Sequence, residues 1–153
     1  MQDTAPQIRI SSTRPIDQLL AHYGSSHTHH LNELIHFTAI PLIMLSLVGL
    51  IFTLHPWLAY AFLAASMVYY LRLSRVFFLA MLAVSAAVLG LVHLMGPLRT
   101  ELSVGIFLVA WVYQFVGHAF EGKKPSFFED IRYLWVGPLF VLSRLFKRLG
   151  IRW

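Results

Sequence analysis

Between positions 34 and 54 the chain carries no Asp, Glu, Lys or Arg, and its hydrogen-bonding side chains there are His36, Thr38, Ser46 and Thr53. Wound as an α-helix, a run over 34–54 is about 31 Å long, the thickness of a bilayer's hydrocarbon core. A backbone in lipid finds no water, so a single segment can satisfy its amides only as a helix. Three more charge-free runs follow at 57–71, 76–95 and 103–120, divided by His55-Pro56, by the loop between Arg72 and Arg75, and by Gly96-Pro97. Pro41 lies inside the first run, where neighbouring helices can satisfy the carbonyl it frees. The pattern predicts an all-α integral membrane protein: an antiparallel four-helix bundle forming a single domain over 1–153.

Composition excludes the alternatives. Charged residues make up 12% of the chain and hydrophobic ones 58%, with mean hydropathy +0.66; a soluble domain carries about 25% charge. A soluble chain this short has no core large enough to hide such a surface. There is no Cys, which rules out disulfides, thiolate zinc, iron–sulfur clusters and a Cys nucleophile. Any metal has to be held by nitrogen and oxygen.

The flanks are amphipathic. Residues 1–14 are polar and lack the apolar stretch of a cleavable signal peptide. Ile16, Leu19, Leu20 and Tyr23 repeat at helical spacing after Pro15, up to an expected break at Gly24-Ser25-Ser26. Over 127–149 an apolar stripe opposes Arg132, Arg144, Lys147 and Arg148, which predicts an interfacial helix lying in the membrane plane, bent near Gly137-Pro138. With the N-terminus cytoplasmic, eleven Lys and Arg fall on the cytoplasmic side and Arg99 alone on the other. That bias places both termini in the cytoplasm. The formal charge of +5 then reads as attraction to anionic lipid headgroups. Nucleic acid is not an expected partner, because the basic residues border apolar spans.

The same topology sorts the eight histidines. His22, His27, His29, His30, His36 and His118 gather at the cytoplasmic end, whereas His55 and His93 fall at the opposite one. Asn32 and His36 share one helical face; Gln114, His118 and Glu121 share another. Ionisable groups inside a membrane are costly and mark function by default. His22, His29, His30, His55 and His93 read as structural or wet, and spacing alone does not decide His27. Imidazoles with a carboxylate and open positions suit non-haem iron, although zinc accepts the same donors. Bis-His haem would want two histidines facing each other across the bundle.

Two blocks carry a resemblance. Tyr23, His27, Asn32, His36 and Pro41 match a Y-x3-H-x4-N-x3-H-x4-P pattern, and Gln114-Phe-Val-Gly-His118-Ala-Phe-Glu121 leads to Pro125 in a second block. Together they resemble the membrane 2-hydroxy fatty acid dioxygenases of fatty-acid α-oxidation, a family typified by 2-hydroxypalmitate dioxygenase. The similarity covers roughly 15–150. It implies Fe(II) as cofactor, with His27, His36 and His118 as metal ligands and Glu121 as a further ligand or a partner to one. Asn32 and Gln114 join Glu121 as candidate catalytic residues, and Tyr23 and Lys124 as candidate substrate-binding residues.

The implied partners are a 2-hydroxy fatty acid, O2 and membrane lipid, and the implied reaction removes one carbon. The substrate's tail is expected among the spans, near Phe37, Leu42 and Phe115. The family's spread and the compact chain point to a bacterial inner membrane. Two other readings compete: a di-iron lipid hydroxylase or desaturase, suggested by His27-x-His29-His30, and a structural membrane protein whose polar stripes hold helices together. For orientation, a reporter fused after Trp153 should be active only if it is a cytoplasmic reporter. Activity of a periplasmic reporter there would reverse the topology.

Overall fold

The computed structural model describes residues 14–25, 29–120, 122 and 133–153. Among these every regular element is a helix: α1 Pro15–Ser25, α2 His30–Leu54, α3 Pro56–Leu73, α4 Arg75–Leu94, a 3₁₀ turn Gly96–Leu98, α5 Arg99–Phe120 and α6 Val136–Leu149. Three stretches, His30–Leu54, Arg75–Leu94 and Gly96–Phe120, are long and apolar enough to cross a membrane. The helix at the second expected span, α3, is less apolar, since Pro56, Trp57, three tyrosines and Arg72 fall within it. Pro41 leaves α2 continuous; its ring is exposed on the outer face.

Helix boundaries follow from chemistry in the loops. His29 and His55 each cap the helix that follows, Nδ1 accepting from the amides of Leu31 (3.2 Å) and Trp57 (3.3 Å) respectively. Pro56 then occupies the first turn of α3, where a missing N–H costs nothing. Gly150, in the left-handed region (φ 69°), ends α6. Against expectation α1 runs through Gly24 to Ser25. The expected bend at Gly137-Pro138 is instead the first turn of α6, where proline is tolerated; positions 127–132 lie outside the described residues.

Two apolar clusters fix the directions. Val48 and Phe52, late in α2, pack with Ala59 and Leu63, early in α3, and with Val88 and Val92, late in α4. At the other end Tyr70, Phe77 and Met81 join Ile16, Leu20 and Tyr23 of α1 and Val136, Leu139, Phe140 and Phe146 of α6. So α2 and α4 run parallel and α3 returns between them. The apolar stripe of α6, read from sequence as facing lipid, is largely buried on the protein. The C-terminus ties this end together: Trp153 packs on Phe77 and Phe146, its Nε1 donates to Asp17, and its carbonyl accepts from Arg14.

The closest seam joins α2 to α5, antiparallel. A Cβ added at Gly49 would stand 2.1 Å from Ser103 Oγ, and one at Gly117 2.7 Å from Asn32 Oδ1. Small residues at both ends let the helices meet where side chains would hold them apart. Gly49→Ala should therefore destabilise the fold by about 1–3 kcal/mol. Adding Ser103→Gly should recover most of it, as read by thermal unfolding in nanodiscs.

Candidate functional site

Along the α2–α5 seam, polar residues collect at one end. Helical phase turns Asn32 and His36 of α2, and Gln114, Gly117 and His118 of α5, to the same interface, and all five are buried. His36 is fully enclosed and His118 is 8% exposed. Their rings meet edge to face, centroids 5.0 Å apart and planes at 85°. Gly117 makes this possible: it precedes His118 and lets Asn32 and Ile35 close over α5.

His36 Nδ1 lies 2.9 Å from the backbone oxygen of Asn32. A carbonyl only accepts, so Nδ1 carries the proton and Nε2 the lone pair. This is the tautomer a metal-binding histidine adopts when a carbonyl orients its other nitrogen. The donor chemistry of the pair thus fits a divalent metal. It does not fit haem ligated by both rings, because rings in contact leave no slot for a macrocycle between them. Among the described residues no third His, Asp or Glu completes a cluster with the pair; His27, Glu121 and Lys124 lie outside those residues.

The other described histidines lie apart from the pair. His29 caps α2 and stacks on Phe120 (5.9 Å, 18°). His22 lies against Tyr133, and His30 is exposed beside a shallow surface pocket with Glu33 and Arg148. His55 caps α3, and His93, at the far end, packs on Phe52 with Nδ1 2.7 Å from the Leu89 carbonyl oxygen. Tyr23 is buried, edge-on to Tyr133 and tilted on Phe140. It shares a cavity with Gln114, whose Oε1 accepts no hydrogen bond among the described residues.

One expectation is corrected here. Leu42 and Phe115 are exposed on the outer surface, and Phe37 lines the surface pocket beside His30, so none forms a chamber wall below the pair. The walls are instead Ile40, Met44, Trp111 and Gly137, with Pro138. Trp111, missed in sequence, was visible as the residue three before Gln114 on the same face. Gly117 stood in the matched block, but the need for a missing Cβ emerges only from the packing.

The fold and this site define a helical protein with three helices long and apolar enough to span a membrane and a buried two-histidine centre near one end. The chain belongs to the 2-hydroxy-palmitic acid dioxygenase Mpo1-like family, whose model matches residues 13–149. No curated protein and no solved structure matches it. Gly117→Ala should separate α2 from α5, lower thermal stability by about 1–3 kcal/mol and disturb the pair. Gly105→Ala, on the same helix with nothing within 4 Å, should be neutral or stabilising by up to about 1 kcal/mol. Equal unfolding temperatures for the two variants would contradict the close approach.

Proposed function

We propose that this protein is an integral membrane, non-haem Fe(II) dioxygenase that shortens 2-hydroxy long-chain fatty acids by one carbon. The observation that carries the reading is the enclosed His36–His118 pair with the His36 tautomer set by the Asn32 carbonyl. Family membership supplies the substrate class. His36, His118 and His27 would hold the ion, and Glu121 would ligate it or orient a ligand. Fe(II) supplies the one-electron chemistry that lets O2 react with a closed-shell acid.

The chain's own groups do the rest. Asn32 fixes the ring of His36. Gln114, which lines the cavity beside Tyr23 and whose Oε1 is unpaired among the described residues, would accept the substrate's 2-hydroxyl. Lys124 draws the carboxylate to the membrane surface. Burial at the seam keeps bulk water from the reacting carbons. The conversion balances with O2 as sole oxidant: the 2-hydroxy acid and O2 give the acid one carbon shorter, CO2 and water, every electron coming from the cleaved C1–C2 unit. The di-iron alternative wants many convergent histidines, and His29 and His30 are engaged or exposed elsewhere.

We further take α3 as a fourth crossing. It runs from the Val48–Val92 cluster to the Tyr70–Phe77 cluster, the same depth that α2 and α4 traverse. The outer faces carry Leu34, Leu79, Leu108 and Val112 exposed, as lipid contact requires. With both termini cytoplasmic, the histidine centre would sit near the cytoplasmic face, at the end where α1 and α6 pack.

Elemental analysis after anaerobic Fe(II) reconstitution tests the centre. His36→Ala and His118→Ala should lose iron; His55→Ala and His93→Ala should retain it. Iron-loaded protein should convert 2-hydroxyhexadecanoic acid to pentadecanoic acid in O2 and leave palmitate unchanged. Glu121→Gln should lower turnover about 10–100-fold. Equal iron in all four variants, or none in any, would leave the pair as helix–helix glue. Bound iron without the shortened acid would remove the reaction.

A further inference from the structure

One helical turn inward from the histidines, Ile40 (four after His36) and Gln114 (four before His118) line a chamber with Tyr23 and Trp111. A second chamber follows, walled by Phe62, Leu63, Met67 and Trp135 among others. Met44, Leu134 and Pro138 line both. His36, Ile40, Met44 and Val48 succeed one another at one turn each along α2. From position 36 to position 48 the path covers about 18 Å, the reach of a long acyl chain.

Polarity is graded along that path. At the upper end the chamber is lined by Gln114, 4% exposed, whose buried Oε1 has no partner among the described residues. In the far chamber the hydroxyls are mostly spent within the protein. Ser66 Oγ accepts from Trp135 Nε1 (2.9 Å) and donates to the Phe62 carbonyl (2.8 Å), and Tyr70 donates to the Trp135 carbonyl (3.3 Å). Ser85 Oγ is the polar wall atom left without a partner among the described residues. The rest of the wall is apolar side chains, three of them methionine.

We propose that the two chambers form one corridor for the substrate's alkyl tail, with Met44 at the junction setting the accepted chain length. The identity of the tail rests on the function proposed above; the corridor itself rests on the packing. Each chamber is narrow, about 30 Å³, so a tail has to displace its walls. Met44, Met67 and Met81 line the far chamber, and unbranched thioethers yield more readily than branched side chains. Met44→Phe shuts methylenes out of the far chamber, and each one excluded weakens binding roughly fourfold.

Tryptophans report the path without turnover. Two single-tryptophan proteins keep either Trp111, in the near chamber, or Trp135, in the far one, with the other tryptophans changed to Phe. A 2-hydroxyhexadecanoic acid brominated at its tail end should quench Trp135, saturably and reversibly on adding unlabelled acid. The same acid brominated close to its head should quench Trp111. Met44→Phe, and independently Leu63→Phe at the far wall, should abolish Trp135 quenching, keep Trp111 quenching and shift the preferred acid to shorter chains. Displaceable quenching without O2-dependent turnover would uphold the corridor and sink the dioxygenase. Turnover without displaceable Trp135 quenching, or with a chain-length profile unchanged in both Phe variants, would overturn the corridor and spare the dioxygenase.

Discussion

The close antiparallel contact between α2 and α5 is the constraint on which the remaining structure rests. Lipid tails are as apolar as leucine, so helices in a membrane associate through packing and hydrogen bonds, without a hydrophobic drive. This chain answers with small residues on the seam: Gly49 against Ser103 at one end, Gly117 against Asn32 and Ile35 at the other. The second contact does more than hold helices. By bringing the α5 backbone down onto Asn32, it sets His118 beside His36 and encloses two imidazoles at a depth where each would otherwise be costly.

The two ends of the bundle differ accordingly. At the far end the helices close on aliphatic and aromatic contacts, with Arg99 over the Phe52 ring and donating to the Val92 carbonyl. At the histidine end α1 and α6 pack on Tyr70 of α3 and on Phe77 and Met81 of α4, tied by Trp153 and by the Arg144–Glu33 ion pair (2.9 Å). The apolar face of α6 is thus buried on the protein, against α1, α3 and α4. Apolar surface outside would serve a bilayer, and apolar surface inside, below the histidines, would serve as the proposed corridor.

Much of this was legible in the sequence, for identifiable reasons. Spans at α2, α4 and α5 follow from uninterrupted apolar runs, and the opposing stripes of Asn32–His36 and Gln114–His118 follow from a spacing of four. Removing His55 and His93 from the site needed only topology. The second expected span, at α3, is not among the helices apolar enough to cross, because its tyrosines and Arg72 dilute the signal; its direction emerges from which residues it packs against. Burial of α6 was illegible, since an apolar stripe looks the same whether lipid or protein covers it. The outer placement of Phe115 shows the same limit: it follows Gln114 on the chain but lies more than a quarter turn away around the helix. Of the residues the family resemblance implicates, His27, Glu121 and Lys124 lie outside the described residues, so the ligand set beyond the pair rests on that resemblance.

The central claim is that the imidazoles at the seam hold a metal to which the substrate comes. Iron K-edge absorption of the Fe(II)-loaded protein, with and without a 2-hydroxy acid under anaerobic conditions, tests it most directly. The account predicts outer-shell scattering from at least two imidazoles, and a change in the inner shell when the acid is added that plain palmitate does not produce. Bound iron with no imidazole scattering, or a spectrum indifferent to the 2-hydroxy acid, would contradict it.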